Sequence, residues 1–374
     1  MDVRRLVAPM LGVLLLAAVG GGIWYSNSSL IAEDSAREAR RIEQSNQVAV
    51  RGLAGSEKEA FFADPRVREA LAARGIALAL EKAGSRDIAN QYDAKRYDFG
   101  FPSGSPAGMQ LKQAAKAPAI YTPFYTPIVI ASWRSIADIL IANGVAGKAP
   151  DGTYTVELPR LLALIEKGTR WNELKANQAF PTGKAVLLNS TDVRSSNSAA
   201  MYLALASYVA NGEQVVQSAE DVERVLPRVV PLFLRQGFQE ASSAGPFEDY
   251  LALGMGKAPL LVAYESQMIE FWLKQPDRVR GDMVLLYPRP TVFSKHVFVP
   301  YTVAGDRLGQ ALDSDPKLRS LAHEHGFRTS GEAKGPDLWA SRGITVPAVL
   351  VDVIDPPSYE WLERMIRDIE ARFR

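Results

Sequence analysis

The chain has 374 residues, no cysteine, 43 lysines and arginines against 42 aspartates and glutamates, and three histidines. Without cysteine there is no disulfide, thiol catalysis, cysteine-held metal or lipid anchor on an N-terminal Cys. A balance this close to neutrality argues against a general nucleic-acid binder, and the length exceeds one ordinary domain, which favours two lobes.

Residues Leu6 to Tyr25 carry no charge, and about twenty residues at 1.5 Å rise match a hydrocarbon core of ~30 Å. Arg4 and Arg5 precede this run and Glu33 and Asp34 follow it, so the positive-inside rule sends the rest of the chain outward. Two readings stand for 1–28: an uncleaved transmembrane signal anchor, or a signal cleaved after Ala18-Val19-Gly20. Both export the remainder to the periplasmic side of the inner membrane or the cell exterior. Residues 29–47 are polar and rich in Ala, Glu and Arg, as expected of a helical stalk with a solvated face.

A strand–helix rhythm starts at Val48. Val48–Leu53 is predicted as a strand, Phe61–Arg74 as a helix stopped by Gly75, Ile76–Glu81 as a strand and Tyr97–Phe101 as another. The apolar run at Tyr125–Trp133 is the next strong strand, followed by helices at Ile136–Asn143 and Leu158–Lys167. A buried strand is expected at Ala185–Leu188, then helices at Ala199–Ala210, Val222–Gln236 and Phe247–Met255, and a strand at Pro259–Tyr264. Met283–Tyr287 and Val297–Tyr301 are expected to return to the first sheet. Arg307–His325 and Tyr359–Phe373 close the chain as helices. Such alternation implies a mostly parallel sheet with helices on both faces, which binds ligands at the carboxyl ends of its strands.

Four loops at those ends are rich in Ser and Gly: Gly55-Ser56-Glu57-Lys58, Gly84-Ser85-Arg86-Asp87, Ser103-Gly104-Ser105 and Arg194-Ser195-Ser196-Asn197-Ser198. Ser and Asn at a helix N-cap leave hydroxyls and N–H groups free to meet a polar solute, or simply cap the helix. Ser56, Glu57, Ser85, Arg86, Ser103, Thr191, Ser196 and Asn197 are therefore the candidate ligand residues of these loops. Tyr264 and Glu265 join them, because they end a buried strand. Glu265 reads either as a carboxylate facing a cleft, disfavouring a simple oxyanion, or as an ordinary residue at a helix start. Lys58, Arg86 and Arg194 pull toward an anion, or are solvated surface charges.

No GxSxG, P-loop or HExxH motif occurs, and Gly254-Met255-Gly256 precedes a strand and lacks a third glycine. His323 and His325 diverge by roughly 200° on a helix, too far to share a metal, and fit a surface helix end. His296 has no evident carboxylate partner in sequence. No enzyme, metal or cofactor is expected.

The order of these elements, with Gly55-Ser56-Glu57-Lys58, Ala83-Gly84-Ser85-Arg86, Ser103-Gly104-Ser105, Tyr125-Thr126-Pro127 before an apolar strand and Ser190-Thr191-Asp192 to Ser196-Asn197-Ser198, resembles the type II periplasmic solute-binding proteins over about Val48 to Thr329. The resemblance implies an α/β fold of two lobes with mixed sheets that close on one small polar or anionic solute, here preceded by an N-terminal membrane helix. It implies ligand contacts from Ser56, Ser103, Thr126, Ser196 and Asn197, and as partner an ABC transporter permease or another membrane protein. On that plan 48–132 begins lobe 1, 133–298 forms lobe 2, and 299–374 returns to lobe 1 and adds a C-terminal extension. The alternative is a binding-protein-like sensor or scaffold acting through a protein partner, with the segment after Gly331 as its surface.

Overall fold

The computed structural model describes residues 47–237, 239–330 and 334–373. The expected membrane segment lies outside the described residues, as does the stalk except for Gln47. No described helix is long and apolar enough to cross a membrane.

The first region runs β1 (Val48–Ala54), α1 (Glu59–Ala63), α2 (Pro65–Ala72), β2 (Ile76–Lys82), α3 (Ser85–Asn90), β3 (Phe99–Phe101) and α4 (Ser105–Ala115). The single helix expected over Phe61–Arg74 is two. Pro65 has no N–H to donate and drives the preceding residue out of helical conformation. Asp64 is extended and caps the second helix by accepting from the Arg66 N–H at 2.9 Å.

The long β4 (Tyr121–Trp133) then carries the chain into α5 (Arg134–Ala142), β5 (Ala146–Lys148), β6 (Tyr154–Glu157) and α6 (Leu158–Glu166). After an irregular stretch come α7 (Asn197–Ala210), α8 (Ala219–Leu234), α9 (Ala244–Leu253), β7 (Leu260–Tyr264), α10 (Glu265–Lys274) and β8 (Met283–Arg289). The expected strand at 185–188 is not a ladder strand: its flanks make only single bridges, Arg170 to Ala185 and Asn189 to Leu261. Val186 and Leu188 are nonetheless buried, so the apolar signal there reported burial without pairing.

β9 (Thr291–Pro300) leads to α11 (Val303–Ser314), α12 (Pro316–Glu324), α13 (Lys334–Ser341), the short β10 (Val353–Ile354) and α14 (Tyr359–Glu370). Pro316 splits the expected Arg307–His325 helix as Pro65 splits the earlier one, with Asp315 accepting from the Leu318 N–H at 2.9 Å.

The sheet order is β2-β1-β3-β9-β4-β8-β6-β5, with β10 added to β9 and β7 to β4. β4 and β9 are the two long strands that join its halves. The first part of β4 pairs antiparallel with β9 from Tyr121–Phe298 to Pro127–Phe293, and the second part pairs with β7 and β8. β9 reaches β3 at Val299 and Pro300. β8 does not return to the first sheet as expected. It lies between β4 and β6, and only β9 makes the return.

The cores follow this topology. Val50, Phe61, Phe62, Val67, Leu71, Phe99 and Phe101 share one cluster with Phe298, Leu308, Leu312, Leu321 and Phe327, so residues before Phe124 and after Val297 pack together. A second, larger cluster gathers Trp133, Ile136, Leu161, Met201, Val229, Leu260 and Leu285, and takes in Leu362, Met365, Ile366 and Ile369 of α14.

Candidate functional site

Between the two halves lies a cavity of about 390 Å³, bordered by the ends of β1, β2 and β7 and the starts of α3, α7 and α9. Six residues singled out from the sequence line it: Ser56, Glu57, Ser85, Ser196, Asn197 and Tyr264. Ser242 and Ser243 complete the lining from the start of α9. The backbones approach closely here, and glycine permits it: a Cβ on Gly84 would stand 2.7 Å from the Ser195 carbonyl, and one on Gly104 would collide with the Asn197 side chain.

Asn197 is the crossing point. Its amide nitrogen, with two hydrogens to share, lies 3.1 Å from each of the Ser103 carbonyl, the Tyr264 hydroxyl and the Ser294 hydroxyl. The second half supplies Asn197 and Tyr264, the first half Ser103, and the joining strand β9 Ser294. At the other rim the hydroxyls of Ser56 and Ser242 meet across the gap at 3.2 Å.

A charge pair with a fully buried lysine forms the floor. Lys58 has no exposed surface, pairs with Glu57, donates to the Ser103 hydroxyl at 2.9 Å and sits 4.7 Å from the centre of the Phe101 ring. Burial works to raise the Glu57 carboxyl, but the Lys58 ammonium and hydrogen bonds from Lys58 and Ser103 outweigh it and bring it to about 2. Burial draws the Lys58 ammonium down, while Glu57 pulls the other way. Beneath lies His296, fully buried beside Phe101, Phe124 and Phe327, with neither ring nitrogen hydrogen-bonded. Burial, then the Lys58 charge, lowers it to about 3, so it is neutral.

The remaining candidates stand elsewhere. Ser103 is fully buried below the cavity, holding Glu57 and Lys58 and donating its N–H to the Ser85 hydroxyl at 2.9 Å. Thr126 is fully buried and accepts from the Ser266 N–H at 3.1 Å, so it joins β4 to α10. Thr191 is bound to the Ser198 hydroxyl at 2.8 Å, beneath the loop. Glu265 does not face the cavity. It is fully buried, receives the Arg328 guanidinium at 2.7 and 2.9 Å and the Tyr287 hydroxyl at 2.7 Å. Arg86 points away from the cavity toward Glu363, and Arg194 is paired with Asp192.

The histidines of α12 are not at a surface helix end. His323 and His325 are 6 % and 1 % exposed. His325 lies 2.8 Å from a Glu270 oxygen of α10 and 3.1 Å from an Asp64 oxygen, at the end of a helix that packs on α2, α11 and α13. No group of three such side chains among the described residues is arranged to hold a metal ion.

Sequence reasoning missed Ser242, Ser243, Ser294 and the buried state of Lys58. Ser242 and Ser243 carried the same Ser-before-helix signal as the other loops. Ser294 shares a face of β9 with His296 by the two-residue period of a strand, and nothing local marks that face as the floor of a cleft.

No family model and no curated protein matches this sequence. Solved structures that match, a periplasmic binding protein among them, share the mixed α/β fold of this chain. Iron-bound HitA from Pseudomonas aeruginosa aligns at 10 % identity and a TM-score of 0.55, covering 86 % of this chain and 99 % of HitA. The periplasmic binding protein AfuA from Actinobacillus pleuropneumoniae, with fructose-6-phosphate bound, aligns at 10 % identity and a TM-score of 0.54, covering 87 % and 98 %. At such identity the likeness speaks of fold alone.

Proposed function

We propose that this chain is an exported solute-binding protein that holds a small polar solute between its two lobes and passes it to a membrane partner such as an ABC transporter permease. One observation carries the reading: hydroxyl and amide groups from both halves converge on a cavity at the strand ends, with Asn197 tied to both halves and to β9. Hydrogen-bond donors and acceptors in a partly desolvated cleft give affinity and orientation, and β4 and β9 are the pair of segments about which the lobes would close. The two aligned binding proteins carry a metal ion and a sugar phosphate, so the fold accommodates very different cargoes. The reading is binding without chemistry: the acid at the cavity, Glu57, is held as a carboxylate by Lys58 and Ser103.

Mass-spectrometric analysis of small molecules released from the purified protein tests this. A solute in stoichiometric amount is expected, and Asn197→Ala should weaken its rebinding about tenfold or more through loss of the cleft's central hydrogen bonds. A protein that releases nothing and binds nothing in a solute screen refutes the reading. It would favour instead a sensor or scaffold acting through the segment after Gly331.

A further inference from the structure

The loop after β1 carries two opposite charges side by side in sequence, Glu57 and Lys58, and the fold sends them to different depths. Lys58 has no exposed surface, whereas the Glu57 side chain keeps a 7 % exposed edge and lines the cavity. Its two carboxylate oxygens are used unequally. Lys58 and the Ser103 hydroxyl both donate to Oε1, while Oε2 receives no hydrogen bond among the described residues and is not fully enclosed. Gly55 makes room for this arrangement, since a Cβ there would stand 2.5 and 2.6 Å from the two carboxylate oxygens.

The rest of the lining offers hydroxyl donors. Ser85 accepts from the Ser103 N–H at 2.9 Å and Ser243 from the Gln267 amide at 3.1 Å, and neither passes its own proton to another described group. Among the described lining residues no charge is unpaired. Lys82 donates to both Glu59 oxygens at 3.0 Å, and Glu57 is balanced by Lys58 beneath it.

A set of hydroxyl groups is the complement of such a lining, because each can both donate and accept. One gives its proton to Oε2 while others accept from Ser85 and Ser243, and a cavity of about 390 Å³ has room for several. An anion brought here meets the negative Oε2 with no free cation to balance it. A cation gains little from a carboxylate whose charge Lys58 already offsets. We infer that Glu57 Oε2 is a specificity-determining acceptor for a hydroxyl of the solute, and that the cleft takes an uncharged polyhydroxyl compound, a sugar or a polyol. This rests on the reading of the cleft as a solute site.

Titration calorimetry on the full chain, dialysed free of bound solute, tests the inference. D-glucose, D-ribose and myo-inositol serve as neutral probes, inorganic phosphate as the anion and putrescine as the cation. At least one neutral probe is expected to bind more tightly than both charged ones. Glu57→Gln should weaken that binding about tenfold or more, because a hydrogen bond to a charged acceptor is among the stronger ones. Since this change strands the buried Lys58, a second variant combines Glu57→Gln with Lys58→Met, removes both charges together and should show the same loss, with thermal melts establishing that it is folded. One deoxy analogue of the bound probe should bind the unaltered protein about tenfold less tightly than the probe itself, and the double variant should no longer distinguish the two. A purely structural role for Glu57 would not move that difference. No neutral probe binding more tightly than phosphate and putrescine, unchanged affinity in the double variant, or a deoxy penalty that persists there overturns the inference. Release of a charged solute from the purified protein also overturns it and leaves the solute reading standing, which fails only if nothing is released and nothing binds.

Discussion

Replacing Glu265 by Gln probes the junction where β4, α10 and the C-terminal extension meet. Glu265 is completely buried and Arg328 nearly so, with side-chain exposures of 0 and 7 %. Glu265 receives two guanidinium bonds and the Tyr287 hydroxyl, while Arg328 also donates to the Pro347 carbonyl at 2.9 Å. The backbone of Arg328 exchanges both hydrogen bonds with Tyr125 of β4 at 2.9 Å. Glu265→Gln keeps the volume but leaves a buried guanidinium without its counter-charge, which costs about 3–5 kcal/mol. With an unfolding entropy of about 2.1 cal/mol/K per residue, a chain this long loses roughly 1.3–1.5 °C per kcal/mol, so a drop in Tm of about 4–7 °C is expected if it unfolds as one unit. Replacing both partners by Met should be far milder than the sum of the single changes, since no charge is then stranded. Melting curves of the two single variants and the double variant decide the matter. A Glu265→Gln variant within 1 °C of the unaltered protein, or a double variant as unstable as the sum, refutes the reasoning.

His296 titrates at about 3 in the folded chain, against 6.5 when unfolded. The unfolded chain takes up a proton that the folded chain refuses, so this stabilisation is full above pH 6.5 and is lost as pH falls toward 3. The slope reaches at most about 1.4 kcal/mol per pH unit. His296→Phe should flatten the rise of stability with pH in that window, as read from urea unfolding at a series of pH values, and an unchanged slope contradicts the assignment. Gly305→Ala should cost about 2 kcal/mol or more, because its Cβ would collide with the Asp98 carbonyl that accepts from Tyr301; a neutral effect in thermal melts would show that the start of α11 shifts freely. For the N-terminus, mass analysis of the mature protein separates the two readings of residues 1–28: Leu6–Tyr25 retained is the outcome expected of an anchor, and a terminus near Gly21 would identify a cleaved signal.

Much of the architecture was written locally. Val48–Ala54 and Ile76–Lys82 declare themselves by apolar runs bounded by glycine, and the loops at Ser56, Ser85 and Ser196 mark the strand ends and the helix start where the cavity lies. Helix boundaries were legible wherever a residue alone enforces them. Pro65 and Pro316 do so, each dividing a stretch whose apolar period alone reads as one helix.

What tertiary structure decided is which side chain meets which. Glu265 follows a buried strand in sequence whether it faces a cleft or an arginine, and only the arrival of Arg328, 63 residues later, settles that it is an internal ion pair. Arg86 sits in a solute-facing loop by every local rule, yet Glu363, 277 residues away, turns it to the rear. His325 and Asp64 lie 261 residues apart and become neighbours only because α12 packs near the start of α2. Local sequence fixes backbone conformation and the apolar faces that must be covered. Pairings between charges and the direction of a polar side chain are set by groups distant along the chain, and their Coulombic and hydrogen-bond energies come into force only once packing has excluded water between them.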